Sequence, residues 1–434
     1  MPSASFSGLS GRANFVIRPT ETGSFRHYDL CSSARNGQRE GPNVPKEPPP
    51  SVVWVLDALY RNGAVHLTMQ LARHFAPRGC LAVVQRLNPN DEVQVPTRVE
   101  VEWLSARRRR LLTAIGPATV RLAELARATD IVVNGSEIGA GLILSWVAAR
   151  LARKPLVVAV HADLNAALKE WIPARAHRLF YWLHRHVTGA ICVSPDLAMP
   201  LIRNGLSPDR IRVVHNGIDV EAVRRAAQAP GNFTDPGVPA VIATGRVARQ
   251  KAYDVLIKAH ALVIQTVPHR LRIYNDGPDM EAIKALIEEL DVTDSIEFFA
   301  PSNAVLSHVA RSSVFCLPSR YEGLPLALLE AVALGVPCIA ADCSDGVRAV
   351  LDDGRVGDLV PPDDVEAFAD ALRAHLLNPE PLNAKAARGT EHARSFDASV
   401  MADKWSAALA ELTALKPTKV VRRNETPANV MSKS

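Results

Sequence analysis

From Val52 onward, short β-branched runs alternate with longer stretches whose apolar residues recur at helical spacing, and this alternation most narrows what the chain can fold into. A short unbroken apolar run reads as a strand buried on both faces, with the helix after it packed back over the sheet. Strands are predicted at Val52–Leu56, Cys80–Val84, Ile131–Val133, Leu156–His161, Ala190–Ser194 and Ile211–Val214, with helices such as Ala64–Phe75 and Asn165–His186 between them. A second series has strands at Ala240–Thr244, Leu271–Tyr274, Ile296–Phe299, Val314–Leu317 and Cys338–Ala340. Its helices are Asp254–Val267, Met280–Leu290, Ala304–Arg311 and Pro325–Leu334. The expected class is α/β, with two doubly wound parallel sheets.

A chain of 434 residues, 47% of them apolar, can bury two such cores. The polar stretch Ala226–Pro239, with three prolines, interrupts the alternation and reads as a linker. The expected division is a disordered leader over 1–50, a first domain over 51–225, the linker over 226–239 and a second domain over 240–385. Helices over 386–415 would cross back to the first domain, and 416–434 would be a disordered tail. The first fifty residues have no apolar core of a signal sequence, and the run Gly141–Leu151 is too short to span a bilayer, so a cytoplasmic protein is expected. The six cysteines are scattered without zinc spacing, and no metal site is expected. A net charge of +5 suits phosphate-bearing ligands or an anionic membrane face and does not imply nucleic acid.

Chemistry concentrates in the segment Ser319–Cys338, where a strand runs into a loop, Pro325 opens a helix and Gly335 ends it. Backbone N–H groups of Gly323 and Leu324 at that helix N-terminus form an anion site suited to a diphosphate. A carboxylate beside it would repel the anion, so Glu322 is expected to face sugar hydroxyls or developing positive charge, and Glu330 a ribose hydroxyl. The plainer alternative is that Glu322 caps the helix and Glu330 is solvated. In the loop Ala243–Asp254, Arg246 can grip phosphate oxygens and Lys251 supplies a point charge, although surface cations in such loops are common.

Taken together, these segments resemble the glycosyltransferase group 1 proteins of family 4 across Val52–Leu415. The resemblance rests on Glu322 and Glu330 in their Gly-Leu-Pro context, Gly245-Arg246 with Lys251, Asn275–Pro278, Val214–Asp219, and Gly357–Pro361 with Asp363-Asp364. It implies the GT-B fold, two Rossmann-like parallel-sheet domains facing across a cleft, with the donor in the second. It also implies that Glu322 contacts the donor sugar, Glu330 the ribose, and Arg246 and Lys251 the diphosphate. Gly63 would approach the donor phosphate, and His161 would face the donor sugar from across the cleft. Ala252 and Asn275 stand where the family has glycines, and Ala349 where many relatives have a glutamate.

The function so implied is retaining transfer of a sugar from a UDP- or GDP-linked donor to an acceptor hydroxyl, with no cofactor and no metal, in cell-envelope, exopolysaccharide or lipopolysaccharide glycan synthesis. A nucleotide-sugar epimerase of the same fold and a non-catalytic sugar-binding protein are the alternatives. A nicotinamide dehydrogenase is excluded, because Leu56 is followed by a single glycine, Gly63. The expected partners are the nucleotide sugar and a glycan or lipid-linked acceptor. Arg107–Arg110 and the cation–aromatic stretch Lys169–His186 suit peripheral contact with an anionic membrane, although for a helix between two strands aromatics in the core and charges on a solvated face are the plainer reading.

Overall fold

The computed structural model describes residues 49–60, 62–87, 92–105, 111–229, 237–300, 302 and 304–415. The leader up to residue 48, Arg107–Arg110, linker residues 230–236 and the tail over 416–434 lie outside the described residues. Strands β1 (Val52–Leu56), β2 (Gly79–Val83), β3 (Val101–Trp103), β4 (Ile131–Asn134), β5 (Leu156–Val160), β6 (Gly189–Cys192) and β7 (Ile211–Val213) form one parallel sheet in the order β3-β2-β1-β4-β5-β6-β7. Strands β8 (Ala240–Thr244), β9 (Arg270–Tyr274), β10 (Ile296–Phe299), β11 (Val314–Leu317), β12 (Cys338–Ala341) and β13 (Asp358–Val360) form a second, ordered β10-β9-β8-β11-β12-β13. In both sheets the order reverses beside the first strand, so a ligand crevice opens at the carboxyl ends of β1/β4 and of β8/β11.

The central strands are buried along their whole length, as β1 with its sequence VVWVL illustrates, which is why they stand out in the sequence. Edge strands β3 and β13 add to the predicted set; three residues are too few for a periodicity to register. The predicted single helix Asn165–His186 is instead two, Leu164–Trp171 and Ala174–Arg185. Pro173 causes the break: it lacks an N–H and disfavours helical geometry at Ile172, which is extended at φ −120°, ψ 130°. The helix Val220–Ala227 runs on into the predicted linker. No described helix is long and apolar enough to cross a membrane.

The C-terminal helix Ala398–Ala414 lies against the first sheet, burying Met401, Trp405, Leu409 and Leu412 among Val52, Trp54 and Phe75. Trp405 packs on Trp54 at 5.6 Å between ring centroids. The return is fastened by Ile218 N–H to Phe396 O at 3.0 Å and Ala398 N–H to Ile218 O at 2.9 Å.

Both departures from the family's glycines fall where a glycine would be at ease. Ala252 is left-handed at φ 50°, and Asn275 lies at φ 111°, outside the region that asparagine tolerates. Such a backbone costs about 1–3 kcal/mol, part of which a glycine returns as unfolded-state entropy. Asn275→Gly is therefore expected to stabilise by about 1 kcal/mol and raise the unfolding midpoint by about 2 °C. An unchanged or lower midpoint would show that the bond from Asp276 N–H to Asn275 Oδ1, 3.0 Å, already offsets the strain.

Candidate active site

Two loops of the second sheet build one wall of the cleft. After β8, Gly245 leads to Arg246, and a tight turn Arg249–Lys251 precedes the helix Tyr253–Ile264. After β11, the chain passes through Ser319–Pro325 into the helix Leu326–Ala333. The loops are stitched together by Arg320 N–H to Gln250 O at 2.8 Å and Gln250 Nε2 to Tyr321 O at 3.0 Å, while Arg320 is salt-bridged to Asp254 and Asp363. That frame brings Lys251 Nζ to 2.6 Å from Glu322 Oε1, which also accepts from Ser319 Oγ at 2.7 Å. The Glu322 side chain is 7% exposed, so its charge depends on Lys251 for compensation.

The first sheet supplies the facing wall. His161 follows β5 directly, and its backbone N–H donates to Glu137 Oε2 at 3.1 Å. A Cβ on Gly323 would lie 2.1 Å from the His161 carbonyl oxygen, so only glycine allows the two walls to approach this closely. Asn62 caps the helix Gly63–His74, and Gly63 faces Leu326: a Cβ there would sit 3.5 Å from Leu326 Cδ1. Two helix N-termini, one from each sheet, thus converge, and the N–H groups of Gly323 and Leu324 have no acceptor among the described residues.

Arg246 reaches across to the facing wall. Its guanidinium is 3.6 Å from Glu170 Oε1 and lies over the Trp171 ring at 5.2 Å, while Tyr321 Oη donates to Glu170 Oε2 at 3.1 Å. Both partners of the Arg246–Glu170 pair are about two-fifths exposed, so the contact is weak and readily exchanged for another anion. Glu330, in the second turn of its helix, makes no hydrogen bond or ion pair with the other expected residues among the described residues, and burial pushes its carboxyl up to about 7. Burial pushes the His161 ring down to about 4 against a smaller opposing effect of the Gly135 backbone, and neither ring nitrogen makes a hydrogen bond of good geometry. The His161 imidazole is therefore neutral at physiological pH.

Between the walls is a cavity of about 320 Å³, bounded on the second-sheet side by Tyr321, Glu322 and Gly323 and on the other by Asp163 and Asp196. Asp163, Asp196, Glu137 and Glu170 went unnoticed in the sequence. For Asp163 and Asp196 a signal was present, since each lies just beyond the carboxyl end of a strand, β5 or β6, where open parallel sheets hold ligands. No group of three or more metal-ligating side chains occurs among the described residues.

Two doubly wound sheets, with helix N-termini and a lysine–carboxylate pair at the cleft between them, define a protein of the GT-B class. The chain belongs to the group 1, family 4 glycosyltransferases: the model for "Glycosyl transferases group 1" matches residues 238–378 and that for "Glycosyltransferase Family 4" matches residues 61–222. It is 30% identical over 273 residues to a phosphatidyl-myo-inositol mannosyltransferase of Mycobacterium leprae, covering 60% of this chain and 68% of that protein. It is 34% identical over 178 residues to the putative colanic acid biosynthesis glycosyltransferase WcaL of Salmonella typhimurium, covering 39% of this chain but only 42% of the relative. Of an exopolysaccharide phosphotransferase from Streptomyces coelicolor, 36% identical over 174 residues, this chain spans 18%, using 40% of its own length. Among solved structures, HepE of Anabaena in complex with UDP and glucose superposes with a TM-score of 0.69 at 18% identity, over 83% of this chain and 99% of that one. WaaG, a glycosyltransferase involved in lipopolysaccharide biosynthesis, gives 0.64 at 17%, over 82% and 99%.

Proposed function

We propose that the protein is a retaining, metal-independent hexosyltransferase that moves a sugar from a UDP- or GDP-linked donor to an acceptor hydroxyl during exopolysaccharide, lipopolysaccharide or other cell-envelope glycan synthesis. The observation that carries this reading is the convergence of two helix N-termini, at Gly63 and at Leu326, with the free amides of Gly323 and Leu324 just ahead of the second, beside the Lys251–Glu322 pair. The donor diphosphate lies on those amides, with Lys251 beside it and Arg246 drawn from Glu170. Glu322 and the neutral His161 orient the sugar, and Glu330 accepts from the ribose. As the bond from the anomeric carbon to the phosphate oxygen breaks, the bond to the acceptor oxygen forms on the same face, and the acceptor's proton passes to the leaving phosphate. The charge left on the diphosphate is met by two cations and the amides, which is what makes a metal unnecessary in this reading. UDP and glucose in HepE, and the colanic acid and lipopolysaccharide relatives, support the donor and pathway classes.

Thermal unfolding with a panel of UDP-, GDP- and ADP-sugars tests the donor, since the true one stabilises by mass action. Product analysis should then show the donor's anomeric configuration kept; inversion would refute the mechanism. Nucleotide release that ignores the acceptor would favour the epimerase, and binding without release a sugar-binding protein.

The same reading puts the acceptor at the cytoplasmic face of a membrane. Trp171, Leu179 and Trp182 are exposed beside Arg175 and Arg178, a mixture suited to an anionic surface. Flotation with anionic vesicles at low salt, and not with neutral ones, is the expected result; equal binding to both would remove the electrostatic contact.

A further inference from the structure

The two cations expected at the donor diphosphate are both held by carboxylates in this structure, and in different ways. Lys251 is bonded at 2.6 Å to Glu322, which belongs to the same half of the molecule and is 7% exposed. Arg246 is held from the opposite half, 3.6 Å from Glu170 Oε1, with both side chains open to solvent. The first pair is part of the frame; the second can open without stranding a buried charge.

Two further contacts define where Arg246 rests. Its guanidinium lies over the Trp171 ring at 5.2 Å, and Tyr321 Oη donates to Glu170 Oε2 at 3.1 Å. Glu170 thus engages both loops of the second-sheet wall, the one after β8 through Arg246 and the one after β11 through Tyr321. Helix stability does not account for a carboxylate here: Glu170 is in the last turn of the helix Leu164–Trp171, where the dipole opposes negative charge. To Arg246 it presents the kind of partner that a phosphate is, a planar pair of acceptor oxygens, but with one charge against the two of a diphosphate.

We propose, resting on the reading that Arg246 grips the donor diphosphate, that Glu170 is a built-in competitor for that arginine. The nucleotide must take the guanidinium from Glu170 and Trp171, and so binds less tightly than its own contacts would allow, by the fraction of molecules in which Arg246 is free. After transfer, the same competition weakens the hold on the nucleoside diphosphate product.

The test titrates the full chain with UDP and with GDP by calorimetry, and the nucleotide that binds is carried through the variants. An exposed ion pair is worth a small factor, so Glu170→Gln is expected to tighten binding about three- to fivefold, whereas a role confined to structure would weaken it. Trp171→Ala changes no charge but removes the ring under the guanidinium, and is expected to tighten binding about twofold. In the Arg246→Ala background, Glu170→Gln should alter affinity by less than about 1.5-fold, because the competitor has nothing left to hold. Weaker or unaltered binding in either single variant overturns the inference and leaves the donor site standing. So does a full gain that persists without Arg246, which would mark a general effect of removing negative charge. Binding of neither nucleotide by the wild type overturns the inference and the proposed function together.

Discussion

Lys251→Ala is expected to lower turnover by about two to three orders of magnitude at saturating donor. Removing one positioned donor from a developing oxyanion costs about 3–4 kcal/mol of transition-state stabilisation, and Lys251 is held in place beside the cleft by its 2.6 Å bond to Glu322. The variant has a second consequence. Glu322 would keep only its bond from Ser319, and a carboxylate 7% exposed would lack its cation, so some loss of stability accompanies the loss of rate. The double variant Lys251→Ala with Glu322→Gln isolates the stability effect: the midpoint should return, because no buried charge is stranded, and its turnover is compared with that of Glu322→Gln alone, below which it should still fall. Single-turnover rates and unfolding midpoints on the same samples check both. Near-normal turnover in Lys251→Ala would take this residue out of the diphosphate site.

Glu330→Gln is expected to raise stability at pH 8 while lowering donor affinity about tenfold. Burial lifts the carboxyl from 4.5 in the unfolded chain to about 7 in the folded one. Below the unfolded value both states are protonated and the residue is neutral in its effect. As pH rises from about 4.5 through about 7, the unfolded chain ionises first, and the native state loses up to about 3 kcal/mol relative to it, a penalty that then stays constant. Glutamine carries none of this, so the variant should match the wild type near pH 4.5 and exceed it by several degrees of midpoint at pH 8. An equal gain at both pH values would mean that the charge is not responsible. Unaltered nucleotide affinity would mean that the carboxyl is not at the ribose.

The strands could be read from sequence because both faces of each are buried, leaving uninterrupted runs such as Val52–Leu56. Pro173 was equally visible, yet the periodicity on either side of it hid the break. In the site, the second-sheet wall was legible because Arg246, Lys251, Glu322 and Gly323 lie in two compact segments, each joining a strand to a helix. The facing wall was not. Glu170 is one charge on a helix surface, and Asp196 one carboxylate after a strand; each gains meaning only from what stands opposite, Arg246 or the cavity. The strain at Asn275 was half visible: the sequence showed a missing glycine, and the backbone supplied the angle.

The return of the helix Ala398–Ala414 makes the first half of the molecule discontinuous along the gene. Its core needs Trp405, Leu409 and Leu412, which are translated after everything that builds the second half. A ribosome that has released residues up to about Arg225 has therefore made a sheet with an open face, and that face closes only after the whole second half has been made. Exchange of donor halves between relatives meets the same condition: a single crossover in the linker would join a sheet from one parent to a closing helix from another. A working chimera needs two joints, the second before Ala398, so that each first half keeps its own Trp54–Trp405 contact.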